Sequence, residues 1–265
     1  MIVHEYCIPY KTYSDVFTLK PIFDVHLGNS YCDKQAFISY LADSDDKTYF
    51  IGGGDIMDSI ITKDIKRYQK HSDATEGDDI IDQQIKMAYE LLLPYKDRII
   101  GLGTGNHEDA ITKYCATNPT RRLCELLDVK PLGYSWIVTL RFSRPSGGGR
   151  KLIIKGHHGW GGGSRTQGAD LTKFSKDMNY WDADMFLYGH VHKRQSDKID
   201  RLSVAGKQLL AKPKYLFICG SFLKTLSLTD EATYSEKAGY PPIAIGGLNI
   251  KVRPTRDWLE IEDDG

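Results

Sequence analysis

Apolar and polar positions fall into alternating blocks along the first half of the chain. The run VFTLKPIFD (16–24) is mostly apolar and stops at Asp24. That pattern predicts a buried strand that presents a polar residue at its tip. DKQAFISYLAD (33–43) sets Phe37, Ile38 and Leu41 on one helical face behind Asp33, a capping residue. TYFIGGGD (48–55) predicts a second strand, ending in glycines and Asp55. DDIIDQQIKMAYELLLPYKDR (78–98) places Ile81, Ile85, Ala88 and Leu92 at steps of four, three and four, the strongest helical pattern in the chain. RIIGLGTGN (98–106) predicts a third strand that again ends in glycine and a polar residue.

The second half changes character. YSWIVTLRF (134–142) and RKLIIKGHH (150–158) predict strands, with SRPSGGG between them as a hairpin turn. GADLTKFSKDMNYWDA (168–183) reads as helix, and ADMFLYGH (183–190), KYLFICGSF (214–222) and IAIGGLNIKVRP (243–254) as further strands. Strand–helix alternation in the first half favours a parallel sheet with helices packed outside, while the hairpin-rich second half predicts antiparallel pairing. Two facing sheets flanked by helices accommodate both halves in one domain spanning 1–265.

Bulk properties narrow the setting. A chain of 265 residues has ample length to bury a core. Lys plus Arg is 35 and Asp plus Glu is 35, so the formal net charge is zero and a strongly basic nucleic-acid binder is excluded, though not a local basic patch. Two short basic stretches, 63–70 and 118–123, read as solvated faces. No apolar run approaches the length that crosses a bilayer, and the N-terminus lacks the pattern of a secretion signal, so no membrane partner is expected. Five cysteines without CxxC pairing argue for reduced thiols and a cytoplasmic location.

The candidate chemistry lies where apolar strands stop: Asp24 and His26 (FDVHLGN), Asp55 (GGGDIMD), Asn106 and His107 (GNHE), His157 and His158 (KGHHGWGGG), His190 and His192 (YGHVH). Six of the eight histidines are in this set. Strand ends line the ligand crevice of open α/β sheets, so five segments would meet at one edge. Oxygen donors with imidazole and no thiolate suit Mn, Fe, Co, Ni or Zn. The donors exceed what one ion needs, so two divalent ions are expected, roughly 3.5–4 Å apart and bridged by a carboxylate. Each motif alone has an ordinary explanation, such as a chance triplet, a helix cap, a turn or a core histidine. Five coincidences at five strand ends do not.

In order and type, D-x-H, G-D-x-x-D, G-N-H-E, H-G and G-H-x-H resemble the calcineurin-like metallophosphoesterase superfamily. The motifs run from Asp24 to His192. HHGWGGGSRT and GYPPIAIGGLNI further resemble phage and prokaryotic members, so the cytoplasm in question is the host's if the chain is virus-encoded. The resemblance implies an α/β four-layer α/β/β/α sandwich of two mixed sheets with a two-metal site. It implies Asp24, His26 and His192 on one metal, Asp55 as bridge, and Asn106, His190 and His158 on the other, with His157 as the alternative to His158. Gly28 and Asn29 are expected only to shape a turn. By the same resemblance a metal-bridging hydroxide attacks phosphorus, and His107 protonates the leaving group. Glu108 or Asp58 is expected to orient that imidazole and raise its pKa.

Substrate contacts are read from GWGGGSRTQGAD (159–170), where Arg165 is expected on phosphate. Trp160, with Tyr180 and Trp181, is a candidate stacking platform for a base. The leading reading is a manganese-dependent phosphodiesterase acting on nucleotides, cyclic nucleotides or nucleic acid, because no arginine lies within the D-x-H or G-N-H-E motifs to receive the extra charge of a monoester. A phosphomonoesterase, including a phosphoprotein phosphatase, is the enzyme alternative, and a catalytically silent scaffold the non-enzymatic one. The oligomeric state is left open.

Overall fold

A computed structural model describes residues 3–61, 79–145, 147–227 and 232–264. In chain order the elements are β1 (Val3–Pro9), β2 (Phe17–Phe23), α1 (Lys34–Ala42), β3 (Thr48–Gly54), α2 (Ile80–Leu92), β4 (Ile99–Gly103), α3 (Asn106–Cys115), α4 (Pro119–Leu127), β5 (Pro131–Gly133), β6 (Ser135–Ser143), β7 (Gly149–His157), α5 (Ala169–Ser175), β8 (Met185–Tyr188), β9 (Arg194–Ala205), β10 (Gln208–Cys219), α6 (Tyr234–Ala238), β11 (Ile250–Pro254) and β12 (Leu259–Asp263). One sheet has the order β1-β6-β7-β8-β10-β9 and the other β12-β11-β2-β3-β4-β5.

The two sheets pack face to face on a core that includes Phe17, Phe23, Trp136, Phe142, Leu187 and Phe217. Behind the second sheet, Phe37 and Leu41 of α1, Ile85, Ala88 and Leu92 of α2, and Leu123 and Leu127 of α4 close another apolar layer. Behind the first sheet, Phe174 of α5 packs with Phe186 and Tyr188 of β8 and Leu216 and Ile218 of β10. The layers therefore run helix, sheet, sheet, helix, and the expected α/β/β/α sandwich of two mixed sheets is present. Among the described residues no helix is long and apolar enough to cross a membrane.

Within the second sheet β2, β3, β4 and β5 are parallel, as the strand–helix alternation predicts. The first sheet departs from the antiparallel expectation. β6 and β7 form the predicted hairpin, but β7, β8 and β10 run parallel, because α5 and the stretch after it carry the chain back between β7 and β8. Three predicted elements are shorter than expected. α2 ends at Leu92 and a 3₁₀ turn, Leu93–Arg98, follows with Pro94 in its first turn. Proline lacks the N–H that an α-helical continuation needs. The helical pattern of 168–183 gives only α5 and a 3₁₀ turn, Lys176–Asn179. Of the strand expected over 243–254 only Ile250–Pro254 forms; Gly246 upstream holds φ at 128°, which no extended residue adopts. The basic stretch 63–70 lies outside the described residues. In 118–123, Arg122 pairs with Asp82 and Arg121 with Glu125, as a solvated face does.

Candidate metal centre

Five chain segments meet at the carboxyl ends of β2, β3, β4, β7 and β8. Two glycines let them come close. A Cβ on Gly54 would lie 2.2 Å from the Gly105 backbone nitrogen, and one on Gly105 only 2.0 Å from Asp55 Oδ1. Only glycine fits at either position, so the tips of β3 and β4 can touch and Asn106 is carried to the side of Asp55.

Asp24 is fully buried. Its Oδ2 accepts from the His190 backbone N–H at 2.7 Å, and its Oδ1 lies 3.7 Å from His192 Nε2 and 4.0 Å from His158 Nε2. His26 Nε2 and His192 Nε2 face each other at 3.2 Å. Asp55 Oδ2 is 3.2 Å from His158 Nε2, while its Oδ1 accepts from the His107 backbone N–H at 3.0 Å. Asn106 Oδ1 sits between His158 Nε2 at 2.9 Å and His190 Nδ1 at 2.8 Å. Asp24, His26 and His192 form one group whose donor atoms lie within 4.8 Å of one another, Asp55, His158 and His190 form a second, and His26, Asp55 and His107 a third that overlaps both. All seven expected ligands are thus in one place.

The doubled histidine separates cleanly. His158 is buried and joins the cluster. His157 points away: its Nδ1 accepts from the Gly159 N–H at 2.9 Å and its ring packs on Tyr134 and Trp160.

Two features test whether these residues suit a divalent cation. Asp24 Oδ1 is buried and accepts no hydrogen bond. An isolated buried carboxylate oxygen is costly, and a cation removes that cost. The second feature is tautomeric. His26 Nδ1 faces Asp58 Oδ1 at 3.3 Å and His158 Nδ1 faces the Gly53 carbonyl at 3.1 Å. Those oxygens accept from the ring nitrogens, so Nδ1 keeps its proton and Nε2 is the nitrogen left to face a cation. The neighbouring carboxylates outweigh burial and raise both imidazoles to about 9, so a cation would displace the Nε2 proton. The donor set fits the cation.

Electrostatics follow from burial and crowding. Burial pushes the Asp24 carboxyl up, and repulsion from Asp55 adds to it against the attraction of His158. Burial also acts upward on Asp55, but the charges of His158 and His107 outweigh it and hold that carboxyl well below its ordinary value. Burial draws His192 down, helped by His26. His190 is drawn down to about 4 by burial and by His158.

The expectations for the proton-handling residues need correction. Glu108 does not orient His107. Its carboxylate accepts from the N–H groups of Gly105 and Asp55 at 2.9 Å and Met57 at 3.1 Å, the return bond of a helix capping box extended across two loops. Asp58 reaches His107 through its backbone: His107 Nδ1 donates to the Asp58 carbonyl at 2.6 Å, while the carboxylate is 3.7 Å away. The His107 pKa is lowered rather than raised, because burial outweighs the pull of Asp55.

Both residues expected on substrate have partners within the chain. Arg165 Nε and NH2 donate to the carbonyls of Gly239 and Ala238 at 3.0 and 2.6 Å, so its guanidinium caps the end of α6. Trp160 is edge-on to Phe174 and Tyr188, which makes it the rim of the outer apolar layer. Two residues were missed. Asn29 does more than shape a turn, since its Nδ2 donates to Asp58 Oδ1 at 3.1 Å. Gln84 accepts from the Ser59 N–H at 2.8 Å and would collide with any side chain at Gly28. A signal for Gln84 existed: it is the polar member of the Ile81, Ile85, Ala88 stripe. Beside Asn106, a cavity of about 490 Å³ lined by Asp109, Lys113, Tyr114 and Tyr134 opens next to the cluster.

No protein-family profile matches the chain, and no curated protein matches it. It is similar at low identity to a number of solved structures, among them the following. Wild-type Vps29 of Entamoeba histolytica complexed with zinc is 13% identical over 93% of this chain and 98% of that one, with a TM-score of 0.41. A metallophosphoesterase of Sphaerobacter thermophilus is 12% identical over 95% and 89%, with a TM-score of 0.41. The calcineurin-like phosphoesterase YfkN of Bacillus subtilis is 10% identical over 94% and 88%, with a TM-score of 0.34.

Proposed function

We propose that this chain is a calcineurin-like metallophosphoesterase that holds two divalent ions and hydrolyses phosphodiesters of nucleotides, cyclic nucleotides or nucleic acid. The observation that carries the reading is the convergence of seven donor side chains from five strand ends around the unsatisfied Asp24 Oδ1. Asp24, His26 and His192 would hold one ion and Asn106, His158 and His190 the other, with Asp55 available to both. Mn²⁺ is the first choice, and Fe, Co, Ni or Zn suit the same donors. Bound cations supply charge neutralisation and an activated water.

The remaining steps belong to the chain itself. Asp58 holds the His26 ring through Nδ1, and Gly53 does the same for His158. His107 gives its Nδ1 proton to the Asp58 carbonyl as a hydrogen bond, so its Nε2 is the free atom, 3.9 Å from Asp55 Oδ2. Protonated at Nε2, the ring donates to the departing alkoxide. The preference for diesters rests on charge. Among the described residues no Lys or Arg pairs with Asp24, Asp55 or Asp58, and Arg165 is committed to carbonyls. A monoester brings nearly one more negative charge, and among the described residues no Lys or Arg of the donor cluster meets it; Lys113 of the neighbouring cavity is paired with Asp109. The cavity beside Asn106 receives the leaving group.

The test is a substrate panel with added Mn²⁺: a nitrophenyl monoester, a bis-nitrophenyl diester, 2′,3′- and 3′,5′-cyclic nucleotides, and single- and double-stranded DNA. Faster turnover of diesters is expected. Preference for the monoester sinks the diester assignment, and no turnover with any of the five metals favours the scaffold reading.

A further inference from the structure

Among the described residues β9 is the outermost strand of the first sheet, hydrogen-bonded to β10 on one side only. It is twelve residues long, and all but Gln195 are exposed. Natural sheet edges usually discourage pairing with proline, a bulge or a row of like charges. β9 has no proline, and its register with β10 is unbroken from Arg194 to Ala205. Its charges also cancel. The centre reads Asp197, Lys198, Ile199, Asp200, Arg201, and reflection through Ile199 exchanges every acid for a base.

We propose that this edge pairs with the same edge of a second copy of the chain, antiparallel, about a two-fold axis beside Ile199. A two-fold contact requires a patch complementary to itself. In this register Lys198 faces Asp200 of the partner subunit and Asp197 faces Arg201 of the partner subunit, each pair occurring twice, and Ile199 meets its own counterpart. Shifting the pairing constant by one sets Asp197 against Asp200 in one direction and Lys198 against Arg201 in the other. A further step sets Lys198 or Asp200 against itself. Opposite charges across a strand pair stabilise it and like charges destabilise it, so one register is favoured. Arg201 also meets Asp182 in its own chain, and a guanidinium with five donors serves both. Further along the same strand Leu202 and Val204 are 62% and 75% exposed, and in this register they lie opposite Ser196 of the partner subunit and Arg194 of the partner subunit.

Sedimentation velocity of the full chain at micromolar concentration tests this, with circular dichroism to verify folding. A dimer is expected. Lys198→Asp and Asp200→Lys each set like charges opposite each other twice and should weaken the dimer by about tenfold or more. The double variant restores both pairs and should restore the dimer, and an equimolar mixture of the two single variants should form a mixed dimer. A monomeric wild type, folded single variants that dimerise as well as wild type, or a double variant that stays monomeric would each overturn the proposal.

Discussion

Asp24, His26, Asp55, His190 and His192 all hold φ between 50° and 70°. Left-handed backbone is uncommon outside glycine and costs on the order of 1–3 kcal/mol at each residue. Five such residues in one cluster mean that the surrounding sheets hold conformations the local sequence disfavours. At this scale neighbouring side chains have separable effects. His107→Ala leaves the seven donors in place, so metal content by mass spectrometry should be unchanged while kcat falls about 10²–10⁴-fold. A metal-replete and fully active variant would remove His107 from proton transfer. Asp55→Ala should instead lose metal, since in the proposed centre that carboxylate would serve both ions. Asp58→Ala should weaken metal binding about 10–100-fold by freeing the His26 ring, with no ligand deleted. Unchanged affinity would show that Asp58 does not fix that imidazole.

At the scale of elements, α2 is more than a cover for the sheet. Gln84 on its buried face pins the Ser59 backbone and abuts Gly28, so it fixes the loops after β2 and β3 together. Gln84→Leu leaves a buried N–H unpaired and should cost about 1–3 kcal/mol, read by denaturant unfolding. A wild-type midpoint would mean that the loops hold themselves. On β7, Lys155 is buried under Trp181, donates to Ser135 Oγ at 2.6 Å, and is drawn by burial from 10.5 to about 8. The unfolded chain therefore binds the extra proton between those values. Stability should rise as pH climbs from about 8 toward 10.5, and Lys155→Met should flatten that rise. The strands that deliver the site were legible because apolar runs ending in glycine and a polar residue are a one-dimensional signal. β9 was not, because an exposed arm of mixed charges carries no apolar alternation. α3 was hidden by its thin buried face, Glu108 and Ile111 alone. α4 is marked in the sequence by Asn118 as cap and Pro119 at the first turn. The candidate ligand residues were visible as types at strand ends, whereas the roles of Glu108 and Arg165 depend on which backbone groups fold against them, and spacing carries no such information.

At the scale of the whole molecule, the centre couples the two sheets. Asp24 and Asp55 end strands of one sheet, while His158 and His190 follow strands of the other, and the fully buried Asp24 carboxylate lies where they meet. Without a cation, that junction carries an unsatisfied carboxylate oxygen, two carboxylates in repulsion, and the backbone strain of five residues. On the proposed function, cations would bind the folded junction and find no comparable site in the unfolded chain, so binding would add to folding stability. At a free concentration about 100 times Kd, each ion contributes about 2.7 kcal/mol. For a chain of this size that corresponds to a rise in Tm of roughly 5–10 °C per ion. Calorimetry after chelation and dialysis, then with Mn²⁺ restored, should show the midpoint fall and recover. Asp55→Ala, with the bridge removed, should respond much less to added metal. Equal midpoints with and without chelator in the wild type would mean that the sheets are joined by their apolar core alone, and that the donor cluster contributes nothing to holding them together.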